Sequence, residues 1–205
     1  MSDNYAKIIE ENLRLLYQMP LARLSSTLPA ERDGDCFVFE AFGETCRIAP
    51  DGVFLCGRRE TGVPGILITL YARHAGPTPP IAAPLRAFKE LPNSMPYAGA
   101  FTTHTETPLT PRVDRIEAAQ SLITHALQGE PSSYVVGGDF SFLVRPLPKI
   151  SLCYIFYRAD EEFPASVTCL FSNNAPDFMP IDGLADVGEY TSKKILALID
   201  GPEPI

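Results

Sequence analysis

The sequence predicts an α+β fold in which antiparallel β-meanders pack with about four helices and a long proline-rich irregular segment. Two observations lead to this prediction. Segments whose apolar residues recur three and four apart, the spacing of a helix, alternate with short runs rich in aromatic and β-branched residues, which are typical of strands. The chain has 205 residues, enough for one core, and shows no repeat at the spacing of a solenoid. We therefore predict one domain over residues 1–205.

The first elements follow from apolar spacing and turn residues. Apolar residues recur at helical spacing over residues 5–25, where Pro20 should kink or divide the helix. Three short apolar runs separated by turn signals predict a β-meander over residues 35–55. The next helix should have Thr61 as its N-cap and stop at Gly76.

Residues 76–111, the proline-rich segment, hold eight of the 20 prolines. Proline lacks a backbone N–H, so this segment should form neither a long helix nor a central strand. It also carries large apolar residues that a flexible linker would not need. These are Ile81, Leu85, Phe88, Leu91, Met95, Tyr97 and Phe101. We therefore predict an ordered, irregular segment packed against the domain, and such segments are uncommon unless they are functional.

The remaining chain should contain a helix, a β-meander and a closing helix. Helical spacing resumes over residues 113–127. Three apolar segments separated by turn signals then occupy residues 139–147, 150–158 and 165–171. The middle segment is almost continuously apolar, so it should be the most buried strand. The closing helix should run over residues 182–199, with Asp182 as its cap.

The net charge of −8 is concentrated near the end of the chain. Residues 1–158 contain 16 acidic and 15 basic residues, whereas residues 159–205 contain nine acidic and two basic ones. An acidic protein is a poor partner for nucleic acid or for an anionic membrane, so we expect neither. Asp160, Glu162 and Asp177 are candidate ligands for a hard cation, if their two loops converge. Solvated turns and a favourable helix N-terminus are the alternative interpretation of these acids.

Sequence motifs give no support to several enzyme classes and identify none. Walker A, GxGxxG, HExxH and GxSxG patterns do not occur, so the classes that depend on them lose their main support. His104 lies within FTTHTET, where hydroxyls could orient its imidazole; a surface histidine is the alternative. Five cysteines without a CxxC pair predict free thiols in a reducing cytoplasm. We expect no secretory signal and no membrane span.

Several segments, in their order along the chain, resemble an uncharacterised family catalogued as domain of unknown function 3786, found mainly in anaerobic bacteria and archaea. The matching segments include GETCRIAPDGV, GILITLYARHAG, FKELPNSMPYAGAF and the long run from GDFSFLV to DFMP, within residues 5–200. The ELP and DEEFP runs are the most specific. The resemblance implies a free-standing domain that some relatives join to a four-cysteine iron–sulfur module, like that of corrinoid iron–sulfur proteins. This chain has no such cysteine quartet. The resemblance therefore implies a link to anaerobic corrinoid and iron–sulfur metabolism, and assigns no catalytic residue and no cofactor.

Three hypotheses of function follow. The first is a non-enzymatic ligand-binding or accessory protein of the cytoplasm, in which the proline-rich segment and the DEEFP turn border a pocket or a partner-docking surface. Its candidate ligand-binding residues are Tyr97, His104, Asp160, Glu161 and Glu162. The second is a carboxylate-based enzyme, with or without a divalent cation. The third is a docking module that presents an acidic C-terminal face to a basic partner. The ligand, a small molecule or a protein, is not identified by the sequence.

Overall fold

A computed structural model describes residues 2–131 and 137–201 of the chain. In that part of the chain, the α-helices are α1 (Ser2–Leu16), α2 (Leu21–Thr27), α3 (Val63–His74), α4 (Ala98–Phe101), α5 (Val113–Ala118), α6 (Gln120–Ala126) and α7 (Ile181–Asp200). They accompany two antiparallel sheets, so the α+β class predicted from the sequence is confirmed. Buried residues of both sheets and of α1, α3 and α7 form one connected hydrophobic cluster.

The first sheet is a five-stranded meander. Its strands, in spatial and chain order, are β1 (Glu31–Asp33), β2 (Cys36–Ala41), β3 (Glu44–Ala49), β4 (Gly52–Leu55) and β5 (Arg58–Arg59). The meander predicted over residues 35–55 corresponds to β2, β3 and β4. Burial alternates along β2, so one face of this strand lies in the core. β1 and β5 were missed because they are short and mostly charged, and therefore show no apolar pattern.

The second sheet positions the site described below. Its strands are β6 (Arg86–Ala87), β7 (Glu130–Pro131), β8 (Phe140–Leu147), β9 (Ile150–Tyr157) and β10 (Ser166–Phe171). They are ordered β6-β10-β9-β8-β7. The three predicted strands are β8, β9 and β10, and the middle one, β9, is central and almost wholly buried, as predicted. The edge strands β6 and β7 have only two residues each.

Two predicted helix caps are wrong. α3 has Gly62 at its N-cap position, not Thr61, and the Gly62 N–H donates to the Glu60 carboxylate (2.6 Å). α7 begins after Pro180, so Asp182 lies inside the first turn and makes no capping hydrogen bond. It still adds a favourable negative charge at the helix N-terminus. Pro20 divides the first predicted helix into α1 and α2, as expected.

The proline-rich segment is ordered, and its buried side chains include Phe88, Leu91, Phe101 and Leu109. Its second half is more helical than predicted. From residue 95 the chain forms successive turns of different pitch: the 3₁₀ turn Met95–Tyr97, α4, the π-helical turn Thr102–Glu106 and the 3₁₀ turn Thr107–Arg112. Pro96 and Pro108 are the second residues of two of these turns, where a missing N–H costs little. The helix predicted over residues 113–127 is also two short helices, α5 and α6, which meet at Ala119.

All five cysteines are free thiols, in agreement with the prediction from their spacing. Cys46, Cys153 and Cys169 are buried, as expected for small apolar side chains of the core. In the part of the chain that the structure describes, no helix is both long and apolar enough to cross a lipid bilayer.

Candidate functional site

A cavity of about 230 Å³, here named the edge cavity, lies between β10 and the proline-rich segment. It forms where β6 ends, because the two residues of β6 pair only with Leu170 and Phe171 of β10. Residues that line it include Phe88, Lys89, Ala98, Phe101, Glu106 and Thr168. All of these except Thr168 belong to the proline-rich segment.

Glu106 takes the place of a neighbouring strand at this edge. Successive amides of an antiparallel strand point to opposite sides, and the Cys169 N–H points away from β9. Glu106 Oε1 accepts a hydrogen bond from this N–H at 2.9 Å. Its second oxygen, Oε2, has no donor among the described residues. A partly buried carboxylate in the cavity thus has one oxygen fixed by the sheet and one oxygen free.

The π-helical turn Thr102–Glu106 supplies this carboxylate. π-Helical turns are rare and occur frequently at functional sites. In the same turn Thr105 is fully buried, and its Oγ1 has no hydrogen-bond partner among the described residues. The Thr105 carbonyl accepts a hydrogen bond from Ser192 Oγ of α7 (2.8 Å). The turn is therefore held between α7 and β10.

Two buried side chains of the sheet lie behind the cavity. Tyr154 and Cys169 are directly opposite each other on β9 and β10. Burial raises the pKa of both groups well above the ordinary values. The Tyr154 hydroxyl lies 3.1 Å from Ser192 Oγ. Cys169 is therefore a neutral thiol at physiological pH and not an activated nucleophile.

Stacked aromatic rings form the apolar wall of the cavity. The rings of Phe88 and Phe101 are parallel within 7°, with centroids 4.3 Å apart. Phe171 of β10 packs against both rings at centroid distances of 5.9 Å and 5.7 Å. Such packing holds aromatic side chains in one arrangement. The wall is thus fixed before any ligand arrives.

Two of the ligand-binding residues predicted from the sequence, Tyr97 and His104, lie in the proline-rich segment but do not line the cavity. Tyr97 is 39% exposed and lies directly before α4. His104 is exposed and lies in the π-helical turn, two residues before Glu106. Neither side chain is among the residues that line the cavity. The proline-rich segment was predicted to border a site, but the residues in it that do so are others.

The acidic turn, residues 160–162, lies on the connection between β9 and β10. Asp160 Oδ1 accepts hydrogen bonds from the backbone N–H groups of Phe163 (2.7 Å) and Glu162 (2.8 Å), which lower the pKa of Asp160. Asp160, Glu161 and Glu162 are exposed and are not among the residues that line the edge cavity. The DEEFP turn therefore does not border this pocket.

The proposed cation ligands are not brought together. Asp160 and Glu162 precede β10, whereas Asp177 follows it, in the 3₁₀ turn Ala175–Asp177. The six residues of β10 span about 20 Å. The Asp177 carboxylate instead accepts a hydrogen bond from Asn174 Nδ2 (3.2 Å). Over residues 2–131 and 137–201, no group of three or more His, Cys, Asp or Glu side chains is arranged to hold a metal ion.

A comparison with models of known protein families identifies the family of this chain. A model of the family described as "Domain of unknown function (DUF3786)" matches residues 21–194. The chain belongs to this family. The DUF3786 match includes both sheets and the whole edge cavity, and it confirms the resemblance seen in the sequence. A search of curated proteins and a search of solved structures each found no match.

Proposed function

We propose that this DUF3786 protein is a non-enzymatic ligand-binding or accessory protein of the cytoplasm, and that its edge cavity binds a small polar molecule. The observation that carries the proposal is the free Oε2 of Glu106, in a cavity with a rigid aromatic wall. Glu106 is only partly buried, so water solvates Oε2 when no ligand is bound. A ligand N–H or O–H can replace that water as the donor to Oε2.

The size of the cavity limits the ligand. Sites for drug-sized molecules have about 300–1,000 Å³, and the edge cavity has about 230 Å³. A molecule of the size of an amino acid fits, whereas a corrin ring does not. A role in anaerobic corrinoid or iron–sulfur metabolism would therefore be an accessory one, in which the protein acts beside a metalloprotein. That part of the proposal rests on the domain arrangement of relatives alone.

The test uses a variant that fills the cavity. Ala98 lines the cavity, and Ala100, on the same short helix, is exposed and lies outside it. We expect at least one compound from a panel of amino acids, primary amines and small amides to shift the backbone NMR resonances of Glu106 and Thr168. Ala98→Leu should abolish the shift, and Ala100→Leu should preserve it. If no compound gives a shift that Ala98→Leu removes, while that variant is folded, the proposal is wrong.

The alternative, a carboxylate-based enzyme, requires two acidic side chains that lie close together. Asp160 and Glu162 lie at one end of β10 and Asp177 at the other. A general acid and base, or two ligands of one cation, must both reach the same few atoms. The described residues therefore give this alternative no support.

Docking onto a basic partner is a second candidate function, favoured by one observation. Phe163 directly follows the acidic turn and is 66% exposed, which is unusual for an aromatic side chain held in an ordered turn. A basic surface with an apolar hollow would fit both features. The probe is a fluorescent deca-lysine peptide with a central leucine. We expect its binding to weaken as salt rises from about 50 to 300 mM, and to be lost in Phe163→Ser and Glu162→Gln; unchanged binding in both variants would contradict docking here.

A further inference from the structure

Two opposite charges line the edge cavity without pairing with each other. Lys89 and Glu106 are the charged residues of the lining. Among the described residues, Glu106 accepts only the neutral Cys169 N–H, and Lys89 has no acidic partner within ion-pair distance. Both charges are therefore free to pair with a ligand that enters the cavity.

The two charges belong to separate, fixed elements. Lys89 is in the 3₁₀ turn Phe88–Glu90, which Glu90 fastens by accepting the Ala87 N–H (2.9 Å). Glu106 is held by the edge of β10. The stacked Phe88 and Phe101 rings join the first turn to α4, which directly precedes the π-helical turn that carries Glu106. The fold therefore fixes the backbone positions of Lys89 and Glu106, and the exposed Lys89 side chain is free to adjust to the ligand.

We propose that the edge cavity selects small zwitterions, molecules that carry one ammonium and one carboxylate on a short apolar frame. This inference rests on the proposed function and names its ligand class. The ligand ammonium donates to Glu106 Oε2, the ligand carboxylate faces Lys89, and the methylene groups contact the aromatic wall. The hydroxyls of Thr102 and Thr168, which also line the cavity, are available to the polar ends. A ligand with a single charge would leave one of the two protein charges without a partner.

The two charges should contribute unequally. Glu106 is partly buried, whereas Lys89 is exposed. A hydrogen bond to a charged group that is shielded from water typically changes affinity by about 10- to 100-fold. An exposed ion pair typically changes it by about 2- to 5-fold. Binding should therefore depend more strongly on Glu106 than on Lys89.

Isothermal titration calorimetry with four probes tests the inference. The zwitterions are L-norvaline and 5-aminopentanoate, and the singly charged controls are pentylamine and pentanoate. At least one zwitterion should bind about 10-fold tighter than both controls. Glu106→Gln keeps an acceptor for the Cys169 N–H but removes the charge, and should weaken binding about 10- to 100-fold. Lys89→Gln should weaken it about 2- to 5-fold.

Matched variants separate a specific effect from a general one. Glu161→Gln and Lys193→Gln remove exposed charges outside the cavity and should leave zwitterion affinity unchanged. Lys89→Glu places two negative charges at the cavity, so it should reverse the preference from 5-aminopentanoate to 1,5-diaminopentane. This reversal is a gain of binding, which a misfolded variant does not give.

Failure of this inference is distinguishable from failure of the proposed function. If pentylamine binds as tightly as both zwitterions, the cavity recognises an ammonium alone; zwitterion selection is then wrong and ligand binding stands. The same conclusion follows if none of the four probes binds while another compound gives shifts that Ala98→Leu abolishes. If no compound at all gives such shifts, both proposals fail.

Discussion

Lys149 is a buried lysine whose hydrogen-bond partners are backbone carbonyls. Its Nζ donates to the carbonyl of Gly76 (2.6 Å) and to that of Thr78 (3.3 Å), and lies 5.3 Å from the centre of the Phe178 ring. The residue is 7% exposed, and loss of water lowers the pKa of its ammonium group. Lys149 follows β8, so this one residue fastens the start of the proline-rich segment to the second sheet.

Lys149→Met should lower the free energy of unfolding by about 1–3 kcal/mol, because it leaves two carbonyls without their donor. Urea denaturation measures the change. Lys193→Met is the control: its exposed ion pair with Glu189 should contribute no more than about 0.5 kcal/mol. A Lys149→Met protein as stable as the parent would show that the ammonium does not fasten the segment.

Asp160 should titrate below its ordinary pKa of 3.8. The backbone amides of Phe163 and Glu162 bond to the charged form, so the folded-state pKa lies below the unfolded one. The resulting stabilisation is complete above the unfolded value and is lost as pH falls through the folded one. Carboxyl-carbon NMR should give a midpoint below 3.8, with faster exchange of the Phe163 amide at lower pH. A midpoint at or above the ordinary value would contradict the observed turn.

At the scale of elements, α7 approaches the π-helical turn through Gly188. A Cβ on Gly188 would lie 2.6 Å from Cε2 of Phe101 and 3.1 Å from Oγ1 of Thr105. The Phe101 ring is already fixed by its stack on Phe88. A Cβ on Gly183, five residues earlier, would instead lie 2.7 Å from Cδ2 of Leu70 and 2.9 Å from Cγ of Met179, both in flexible side chains. An alanine side chain is therefore harder to accommodate at Gly188 than at Gly183.

Gly188→Ala should lower the free energy of unfolding by about 1–3 kcal/mol, because overpacking outweighs the gain in helix propensity of about 1 kcal/mol. Gly183→Ala should cost less or be neutral, since its neighbours can rotate away. Urea denaturation compares the two variants, and NMR shifts of Glu106 report whether the π-helical turn has moved. A Gly188→Ala protein more stable than the parent would contradict tight packing at this contact.

The sequence predicted the elements whose pattern is local. β8, β9 and β10 are short, mostly apolar segments between turn signals, and α7 repeats its apolar residues at helical spacing. The division of the first helix at Pro20 was predictable because a proline ring by itself disfavours the interior of a helix. By contrast, the changing helical pitch over residues 95–112 depends on contacts with β10 and α7. The composition of this segment therefore predicted that it is ordered, but not that it forms helical turns.

The candidate site was predicted only in outline. Glu106 acts on the amide of Cys169, 63 residues further along the chain, and no local pattern reveals that pairing. The sequence analysis favoured His104 over Glu106 in FTTHTET because an imidazole is a common functional group, whereas a single glutamate is not distinctive. Helical spacing within FTTHTET was the one signal that could have indicated Glu106. This spacing separates the buried side of the turn from the exposed side that carries His104. Asp160 and Glu162 were grouped with Asp177 because all three are acidic, but β10 separates the two loops that carry them.

At the scale of the molecule, the two sheets meet at the turn between β2 and β3. The Phe42 N–H donates to the Pro146 carbonyl of β8 (2.7 Å). A Cβ on Gly43 would lie 1.9 Å from the carbonyl oxygen of Ala126, at the end of α6. The Gly43 φ of +77° is also a conformation that favours glycine. The absence of a side chain at Gly43 thus lets this turn pack against the end of α6.

Gly43→Ala should lower the free energy of unfolding by at least about 2 kcal/mol, because a left-handed φ and a backbone clash combine. Gly57→Ala is the matched control: its φ is +76° but nothing lies within 4 Å of an added Cβ, so only the backbone cost of about 1 kcal/mol remains. Denaturant melts measure both. Amide exchange in Gly43→Ala should rise in β3 and in β9 together, and a rise confined to β3 would show that the sheets unfold independently.

The shortness of β6 also affects how copies of the chain associate. A sheet edge with unpaired amides is a template on which another chain can add a strand, and natural proteins block such edges with charges and with proline-rich cover. Here Glu106 already occupies the Cys169 amide, and an incoming strand would have to displace it and leave the carboxylate facing apolar rings. The same side chain that leaves one oxygen free for a small molecule therefore protects the protein against edge-to-edge aggregation.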